Sequence, residues 1–291
     1  MISRSDAPIS DRTAGSQIRL RDRVQGVRRR VVAAVLWPIY VVYLNRLRAA
    51  VMARPRPGHV AVIMDGNRRW AVRERLVDVG AGHRAGAEKA LELIDWCAEL
   101  GIGEVTLWAL SMENLDRDPA EVGTIVDVAT EALDAMATGR RRTSVPIRLH
   151  VIGRRDVLPD RLLRAVEDSA RLSRSDGGIE VTIALAYSGR DELVEAFRAT
   201  VRDLLSSGVA ADDLADRLTP DALSAHLYTH GSSDPDLIIR TSGEVRMSGF
   251  LPWQSAYAEF DFSDAFWPAY REIDFLRSIR TYQQRARRYG R

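Results

Sequence analysis

Residues 59–70 read HVAVIMDGNRRW, and this stretch decides the fold. The uncharged run His59–Met64 is rich in aliphatic residues and predicts a short buried strand. A polar segment, Asp65–Trp70, follows it at once. Because ligands of open parallel sheets bind where the strands end, the stretch predicts a strand that delivers a polar motif to the carboxyl edge of a sheet.

The same alternation of apolar runs and helical periodicity continues along the chain. Further strands are predicted at Glu104–Leu110, Ile147–Ile152, Ile179–Tyr187, Leu237–Arg240 and Ala258–Phe262. Helices are predicted from about residue 87 to Gly101 and near 119–138, 159–173, 190–206, 219–228 and 273–288. This order predicts a single α/β domain with a mostly parallel central sheet of about six strands flanked by helices.

The first part of the chain is a basic arm. Residues 1–58 contain twelve arginines and three aspartates, whereas the whole chain has a formal net charge of only +2. Such an arm predicts an anionic partner, either a membrane surface or a nucleic acid. Its uncharged run Val31–Leu44 is shorter than the roughly 20 apolar residues that a membrane span requires. We expect a helix on the inner face of the cell membrane, with Trp37, Tyr40 and Tyr43 at the interface; a helix packed on the protein's own core is the alternative.

The segment Arg54–Gly58 (RPRPG) disfavours helix and is the expected boundary between the arm, 1–58, and a catalytic domain, 59–291. Cys97 is the only cysteine of the sequence, which excludes an internal disulfide and a cysteine-based zinc site and fits a cytoplasmic protein. Its helical spacing with apolar neighbours predicts a core position.

The residues that follow the first strand suit a hard cation and a phosphate. Asp65 offers carboxylate oxygen to a hard cation such as Mg²⁺. Gly66 allows close approach of the backbone, and Arg68 and Arg69 add forked donors for phosphate. An ordinary turn is the alternative for Asp-Gly-Asn, but two arginines and Trp70 at the end of a strand favour a site.

Two further strand ends are polar. Ser111–Arg117 (SMENLDR) combines a hydroxyl, a carboxylate, an amide and a guanidinium, although helix capping before Pro119 also explains it. Arg240–Ser248 (RTSGEVRMS) brings two arginines and a serine around a glycine turn, an arrangement suited to a diphosphate. Neither a Walker A loop nor a GxGxxG fingerprint occurs in the sequence, which disfavours a nucleotide cradle. Glu259 begins an apolar strand and needs a cation or a basic partner; the aromatic residues near it, Phe266 among them, are expected in the core.

Three stretches together resemble the cis-prenyltransferases, the isoprenyl transferase or undecaprenyl diphosphate synthase family. They are HVAVIMDGNRRWA (59–71), LSMENLDRDP (110–119) and DLIIRTSGEVRMSGFLPWQSAYAEFDF (236–262), in the family's order. The similarity runs from His59 to Gly290. The stretches YTHGSSDPDL and RMSGF and the ending YGR resemble the actinobacterial short-chain Z-farnesyl diphosphate synthase type most.

The resemblance implies a homodimer that condenses isopentenyl diphosphate with an allylic primer, geranyl or farnesyl diphosphate, with Mg²⁺ as cofactor. It implies Asp65 and Asn114 as catalytic residues, with Asp65 and Glu259 as Mg²⁺ ligands, Glu259 acting across the dimer. The implied substrate-binding residues are Gly66, Asn67, Arg68, Arg69, Trp70, His83, Ser111, Met112, Glu113, Leu115, Arg117, Arg240, Arg246, Met247 and Ser248.

Three positions depart from the pattern of long-chain members or bear on product length. Val79 replaces an arginine of many long-chain members, and Leu115 replaces their usual tryptophan, as in the short-chain type. Ala109, in contrast, stands where short-chain enzymes carry a bulky leucine that closes the product tunnel. The sequence therefore leaves product length open.

Two alternatives belong to other functional classes. A catalytically silent partner subunit at the membrane is the first, and the intact Asp65–Trp70 motif disfavours it. A nucleic-acid-binding arm is the second, and the sequence shows no basic sheet face interleaved with aromatic residues to support it.

Overall fold

The computed structural model describes residues 37–78, 80–138, 143–172 and 178–285. Six strands form its centre: β1 (His59–Ile63), β2 (Glu104–Trp108), β3 (Ile147–Ile152), β4 (Ile179–Ala184), β5 (Leu237–Arg240) and β6 (Glu259–Phe262). They make one sheet in the order β3-β4-β2-β1-β5-β6, and every pairing in it is parallel. The prediction of an α/β domain on a parallel sheet is confirmed.

Helices connect the strands. They are α1 (37–52), α2 (Asn67–Arg73), α3 (Gly80–Glu99), α4 (Pro119–Ala137), α5 (Asp160–Leu172), α6 (Gly189–Ser206), α7 (Leu214–Arg217), α8 (Pro220–Ser224) and α9 (Glu272–Gln284). All five residues of β1 are buried, as expected for a central strand of a parallel sheet that is covered on both faces. Cys97 is buried in α3, as predicted.

Some predicted elements are too long. The predicted extension of β4 to Tyr187 is wrong: the strand ends at Ala184, because Ala186 has a φ of 46°, in the left-handed region that a strand excludes. The helix predicted over 219–228 ends at Ser224. Beyond it, the Tyr228 N–H donates to the carboxylate of Glu192 instead of to a helical carbonyl.

A compact unit begins at Val51 and carries the whole sheet. Its first residues are held by α9, where Gln283 Nε2 donates to the carbonyl oxygens of Val51 (2.8 Å) and Pro55 (3.0 Å). The preceding unit contributes the helical residues 37–50. Outside the described residues lie positions 1–36 of the predicted arm, Val79 and the end of the last predicted helix. Among the described residues, no helix is both long and apolar enough to cross a membrane.

Candidate active site

A cleft of about 1030 Å³ lies at the carboxyl edge of the sheet. The last residues of β1, β2 and β5 (Ile63, Trp108 and Arg240) line it. Six arginines line the same cleft against two carboxylates, Asp65 and Glu113. This excess of positive charge makes the cleft suitable for a polyanion such as a diphosphate.

Asp65 is held by two arginines at the end of β1. Its Oδ2 accepts a hydrogen bond from Arg240 Nη2 at 3.0 Å, and its Oδ1 accepts one from Arg69 Nη2 at 3.2 Å. Burial raises the pKa of Asp65, but hydrogen bonds from Arg240 and Ser242 and the charges of Arg69 and Arg240 outweigh it, so the pKa lies below its ordinary value. Asp65 is therefore ionised at neutral pH.

The backbone of Asp65 is fixed by a neighbouring hydroxyl. Thr241 is fully buried, and its Oγ1 accepts from the Asp65 N–H at 3.0 Å and lies 2.7 Å from the Asp65 carbonyl oxygen, to which it donates. Trp267 N–H donates to the same carbonyl at 3.0 Å. The backbone N–H and C=O of Asp65 are thus both hydrogen-bonded to Thr241, which follows β5, and the C=O is also bonded to Trp267, which follows β6.

Glycine is required after Asp65. Gly66 has a φ of 103°, and a Cβ added there would lie 2.8 Å from the ring of Phe266. The chain turns at Gly66 into α2, whose first three residues line the cleft. Arg69 and Arg73 of α2 lie over the ring of Phe266, with guanidinium carbons 5.5 Å and 5.1 Å from its centre.

Helix α3 packs tightly on Asn67. A Cβ at Gly82 would lie 2.3 Å from the Asn67 carbonyl oxygen, and one at Gly86 would lie 2.4 Å from its Oδ1. Asn67 Nδ2 donates to the Met64 carbonyl at 3.2 Å, while Oδ1 is buried with no partner among the described residues. The two glycines therefore set the distance between α3 and the motif.

Glu121 of α4 organises a second pair of arginines. Its Oε1 accepts from Arg117 Nη1 at 2.9 Å and lies 3.4 Å from Arg68 Nη1. His83 is close by, and its Nε2 is buried without a partner in the described part of the chain. Burial, opposed by the charge of Glu121 and aided by those of Arg117 and Arg68, lowers the pKa of His83. His83 is therefore mainly neutral at pH 7.

The segment after β2 is a short 3₁₀ turn with reciprocal caps. Asn114 N–H donates to Ser111 Oγ at 3.3 Å, and Ser111 N–H donates to Asn114 Oδ1 at 3.2 Å. Capping and cleft lining coexist here, since both residues also line the cleft. The amide of Asn114 is thereby held in one orientation.

The loop after β5 folds back onto its own first residue. Arg240 is almost fully buried, and its Nη1 donates to the Arg246 carbonyl oxygen and to Ser248 Oγ, both at 2.6 Å. Ser242 and Ser248 have φ values of 81° and 53°, a strain on the order of 1 kcal/mol each that the surrounding contacts must hold. Arg246 lies mainly exposed beside Glu244.

A second, mainly apolar cavity of about 80 Å³ adjoins the cleft between α3 and α4. Met64, Asn67, His83, Ala109 and Ile125 line both spaces. Its other walls are small or aliphatic side chains: Gly86, Ala87, Ala90, Leu91, Leu107, Val128, Ala129, Ala132, Leu133, Met136, Ile183, Leu185 and, at one end, Trp267.

Most of the predicted site residues line the arginine-rich cleft. They are Asp65, Gly66, Asn67, Arg68, Arg69, His83, Ser111, Glu113, Asn114, Arg117, Arg240, Arg246 and Ser248. The cleft lining does not include Trp70, Met112, Leu115, Met247 or Glu259. Predicted ligand contacts of these five stay predictions.

Glu259 lies far from Asp65 within one chain. It begins β6 and pairs in register with Leu237 at the start of β5, whereas Asp65 follows the end of β1. Its Oε2 accepts from Arg285 Nη1 at 3.0 Å, which supplies the basic partner expected for it. A cation shared by both carboxylates would need Glu259 from a second copy of the chain, and that prediction is untested.

Sequence reasoning missed several residues of the site. Thr241 and Ser242 carry no charge pattern, and only the fold shows that they hold Asp65 and Arg69; Ser242 Oγ accepts from Arg69 Nη2 at 2.7 Å. Glu121 stands four residues after Arg117, a helical ion-pair spacing that could have identified it. The prediction that Phe266 belongs to the core is wrong, because its ring lines the cleft beneath two arginines.

Comparisons with known proteins agree with this geometry. An isoprenyl transferase of Thermus thermophilus is 43% identical over 262 residues, which cover 90% of this chain and 99% of the relative. A (2Z,6E)-farnesyl diphosphate synthase of Thermobifida fusca is 44% identical over 253 residues, covering 87% and 97%. A short-chain Z-isoprenyl diphosphate synthase of Mycobacterium bovis is 41% identical over 256 residues, covering 87% and 96%.

The fold has a similar solved structure. The crystal structure of lavandulyl diphosphate synthase from Lavandula x intermedia, in complex with dimethylallyl diphosphate, superposes with a TM-score of 0.75 at 32% identity. The match covers 81% of this chain and 99% of that chain. Residues 63–290 match the family model described as "Putative undecaprenyl diphosphate synthase". The chain therefore belongs to the undecaprenyl diphosphate synthase family of prenyl-transferring enzymes.

Proposed function

We propose that the protein is a Mg²⁺-dependent cis-prenyltransferase that condenses isopentenyl diphosphate with an allylic prenyl diphosphate. One observation carries the proposal: an arginine-rich cleft around Asp65 adjoins an apolar cavity. The cleft suits the diphosphates, and the cavity suits a growing hydrocarbon tail. The named activities of the relatives point to the same substrate class.

The arginines of the cleft divide into two groups. Arg68 and Arg117, joined through Glu121 and close to His83, would bind the allylic diphosphate. Arg240, Arg246 and Ser248, joined in one loop, would bind isopentenyl diphosphate. Asp65 bonds to Arg240 of the second group and to Arg69. This arrangement brings two diphosphates to one place without a nucleotide-type cradle.

In the reaction the allylic carbon–oxygen bond breaks, and the diphosphate leaves with the electron pair. The arginines around it stabilise the negative charge that develops on the leaving group. The double bond of isopentenyl diphosphate then forms a new bond to the allylic carbon, and a proton leaves C2. Asn114 Oδ1 already accepts the Ser111 N–H, so we assign Asn114 to substrate orientation and the proton to the released diphosphate, the stronger base.

The residues of the cleft fit a magnesium ion. Mg²⁺ binds through one or two carboxylates together with substrate phosphates, so a single ionised carboxylate among phosphate-binding arginines suffices. Asp65 would hold the ion, and Glu259 of a second copy would complete the site. When bound, magnesium neutralises charge on the diphosphate leaving group. Within the described ranges, no cluster of three or more His, Cys, Asp or Glu residues forms a ready-made metal site.

The deciding experiment is a product assay with labelled isopentenyl diphosphate, Mg²⁺ and geranyl or farnesyl diphosphate. We expect EDTA-sensitive formation of a Z-configured product with an allylic primer. A single C15 product identifies a short-chain enzyme, and a ladder of longer products identifies carrier-lipid synthesis. Absence of product with every primer would favour a silent partner subunit instead.

Product length depends on the apolar cavity. Ala109 lines both the cleft and the cavity, so a larger side chain there narrows the passage between them. Where the unmodified protein forms a ladder of products, we expect Ala109→Leu to shorten the longest product by at least one isoprene unit while first-condensation turnover changes less than tenfold. Chromatography of the labelled products measures this. Val194→Leu on the exposed face of α6 is the matched control, and an unchanged product distribution in Ala109→Leu contradicts the role of the cavity.

The position of Asp65 depends on Thr241. Thr241→Val keeps the shape of the side chain but removes the hydroxyl that bonds both backbone groups of Asp65. We expect kcat to fall roughly tenfold, the equivalent of about 1.4 kcal/mol, because both hydrogen bonds between this hydroxyl and the Asp65 backbone are lost. Thr241→Ser should restore most of it. Equal losses in the valine and serine variants would show that packing, not the hydroxyl, matters.

We further propose that the protein is a homodimer and contacts anionic membranes through its arm. Ile39, Val42 and Tyr43 are exposed and lie on one face of α1, with exposed Arg46 one turn beyond, as in interfacial helices. Sedimentation of the full chain at several concentrations tests the dimer.

Replacing these three apolar residues by serine should reduce binding of the full chain to phosphatidylglycerol vesicles at least tenfold. The burial of apolar side chains in the interface is then lost while the arginines remain. Co-sedimentation with vesicles is the measurement. The difference in binding between phosphatidylglycerol and uncharged phosphatidylcholine vesicles gives the electrostatic contribution to binding. Phe197→Ser on α6 is the control, and full binding of the triple variant contradicts the assignment.

A further inference from the structure

Glu192 is a fully buried carboxylate that lies outside the cleft lining. It occupies the first turn of α6, and burial raises its pKa even though hydrogen bonds from Tyr187 and Gln254 act in the opposite direction. A buried carboxylate costs several kcal/mol unless it is well paired. Its retention at this position needs a physical reason.

Four groups converge on this side chain. Oε2 accepts from Tyr187 Oη at 2.5 Å, and Oε1 accepts from Tyr228 N–H at 2.9 Å and from Gln254 Nε2 at 3.1 Å. The backbone of Thr229 is a further hydrogen-bond partner. The partners come from the segment after β4, from the segment after α8 and from the loop after β5. Glu192 is the common acceptor that joins these segments.

The loop after β5 rests on the same turn of α6. Gly189 N–H donates to the Gly249 carbonyl oxygen at 3.2 Å. A Cβ at Gly189 would lie 2.3 Å from that oxygen and 2.3 Å from Pro252 Cδ. Gly249 directly follows Ser248, so the start of α6 is the surface on which the end of the Arg246–Ser248 segment lies.

A ring cluster links Glu192 to the cleft. Phe250 stacks on Trp108 with ring centres 5.0 Å apart and meets Tyr187 edge-on at 6.1 Å. Trp108 lines the cleft, and the Tyr187 hydroxyl donates to Glu192. The loop that carries Ser248 is therefore held at Phe250 by rings and at Gln254 by the carboxylate, in addition to its contacts with Arg240 and Gly189.

We propose that Glu192 is a positioning residue that fixes the Arg246–Ser248 segment over the cleft and so sets the affinity for the diphosphate bound there. The inference rests on the proposed function, in which this segment binds isopentenyl diphosphate. It predicts that loss of the carboxylate weakens isopentenyl diphosphate binding selectively. The allylic diphosphate, assigned to Arg68 and Arg117, is bound by residues of α2 and the loop after β2 that Glu192 does not contact.

The test compares Glu192→Met, which keeps the length of the side chain, with Glu192→Gln, which keeps an acceptor oxygen. Glu192→Met should raise KM for isopentenyl diphosphate about tenfold and leave KM for farnesyl diphosphate within twofold; Glu192→Gln should restore most of the loss. Gln254→Leu breaks the same link from the loop side. Both changes remove the same hydrogen bond between Glu192 and Gln254. The KM of the double variant for isopentenyl diphosphate should therefore be no higher than that of the more strongly affected single variant. Glu195→Met, one turn along and partly exposed, is the matched control.

Calorimetric titration with isopentenyl diphosphate gives a readout besides turnover, and thermal unfolding reports stability. If Glu192→Met does not fold, Gln254→Leu and Tyr187→Phe decide the question by the same KM comparison. Equal increases in both KM values, or additive effects of the two changes, would overturn the inference. Lack of turnover by the unmodified protein contradicts the proposed function instead, and the titration still shows whether Glu192 affects diphosphate binding.

Discussion

Replacing Asp65 by alanine is expected to reduce kcat by roughly a thousandfold or more, because the cleft then lacks the carboxylate proposed to hold the metal. Asp65→Asn should lose nearly as much, since an amide keeps the shape but not the charge. Steady-state turnover with labelled isopentenyl diphosphate measures both. The fold should persist, because Asp65 is about one-third exposed and its backbone contacts to Thr241 and Trp267 do not involve the carboxylate.

Asp116→Asn is the matched control, since Asp116 is an exposed carboxylate that follows the 3₁₀ turn at the same edge of the sheet. Far-UV circular dichroism and thermal unfolding establish that the Asp65 variants are folded. Near-normal turnover in folded Asp65→Ala would remove the proposed metal role. Calorimetric titration with Mg²⁺ and isopentenyl diphosphate should show weaker metal binding in the variant.

Arg240→Met is expected to lower kcat/KM for isopentenyl diphosphate roughly a hundredfold, about 2.7 kcal/mol. The variant loses the contact to Asp65 and both contacts that close the loop at Arg246 and Ser248. It should also unfold at a lower temperature, because buried hydrogen-bond acceptors lose their donor at about 1–3 kcal/mol. Arg240→Lys should recover only part of the activity, since an ammonium group cannot reproduce the forked geometry.

Arg240→Met should also change the pH dependence of activity. Arg240 is among the groups that lower the pKa of Asp65, so its removal raises that pKa toward the ordinary value. A lowered pKa in the folded state stabilises the protein above the unfolded-state pKa, and this contribution is lost as pH falls through the folded-state pKa. Because a higher pKa means that Asp65 loses its charge at a higher pH, the acid limb of activity should move to higher pH in Arg240→Met. Arg202→Met, on the exposed face of α6, should leave this limb unchanged.

The fold was predictable because a parallel sheet needs continuous apolar runs, and such runs are visible in a single sequence. β3 and β5 have the predicted bounds. The errors lie where long-range contacts decide. The left-handed Ala186 ends β4, and α8 stops before Tyr228 N–H reaches Glu192. Neither contact leaves a local pattern.

The site was predictable where charge and strand ends coincide, as at Asp65, Arg68, Arg117 and Arg240. The residues that orient these charges were not, because Thr241 acts through a backbone contact and Phe266 through its ring. Both lie far from the Asp65–Trp70 motif in sequence and contact it only through the order of the sheet. Sequence patterns thus identified the charged groups of the cleft more readily than the residues that hold them.

The close packing of α3 on Asn67 has a consequence for how the product cavity can change in evolution or by design. The cavity has one wall on α3 and the other on α4. A side chain added at Gly86 of α3 would press on the side chain of Asn67, and through it on the motif that begins at Asp65. Substitutions at Ala129 or Ala132 of α4 alter the same space without that contact. Variation in product length that preserves turnover should therefore occur at Ala129 and Ala132, while Gly86 stays constant.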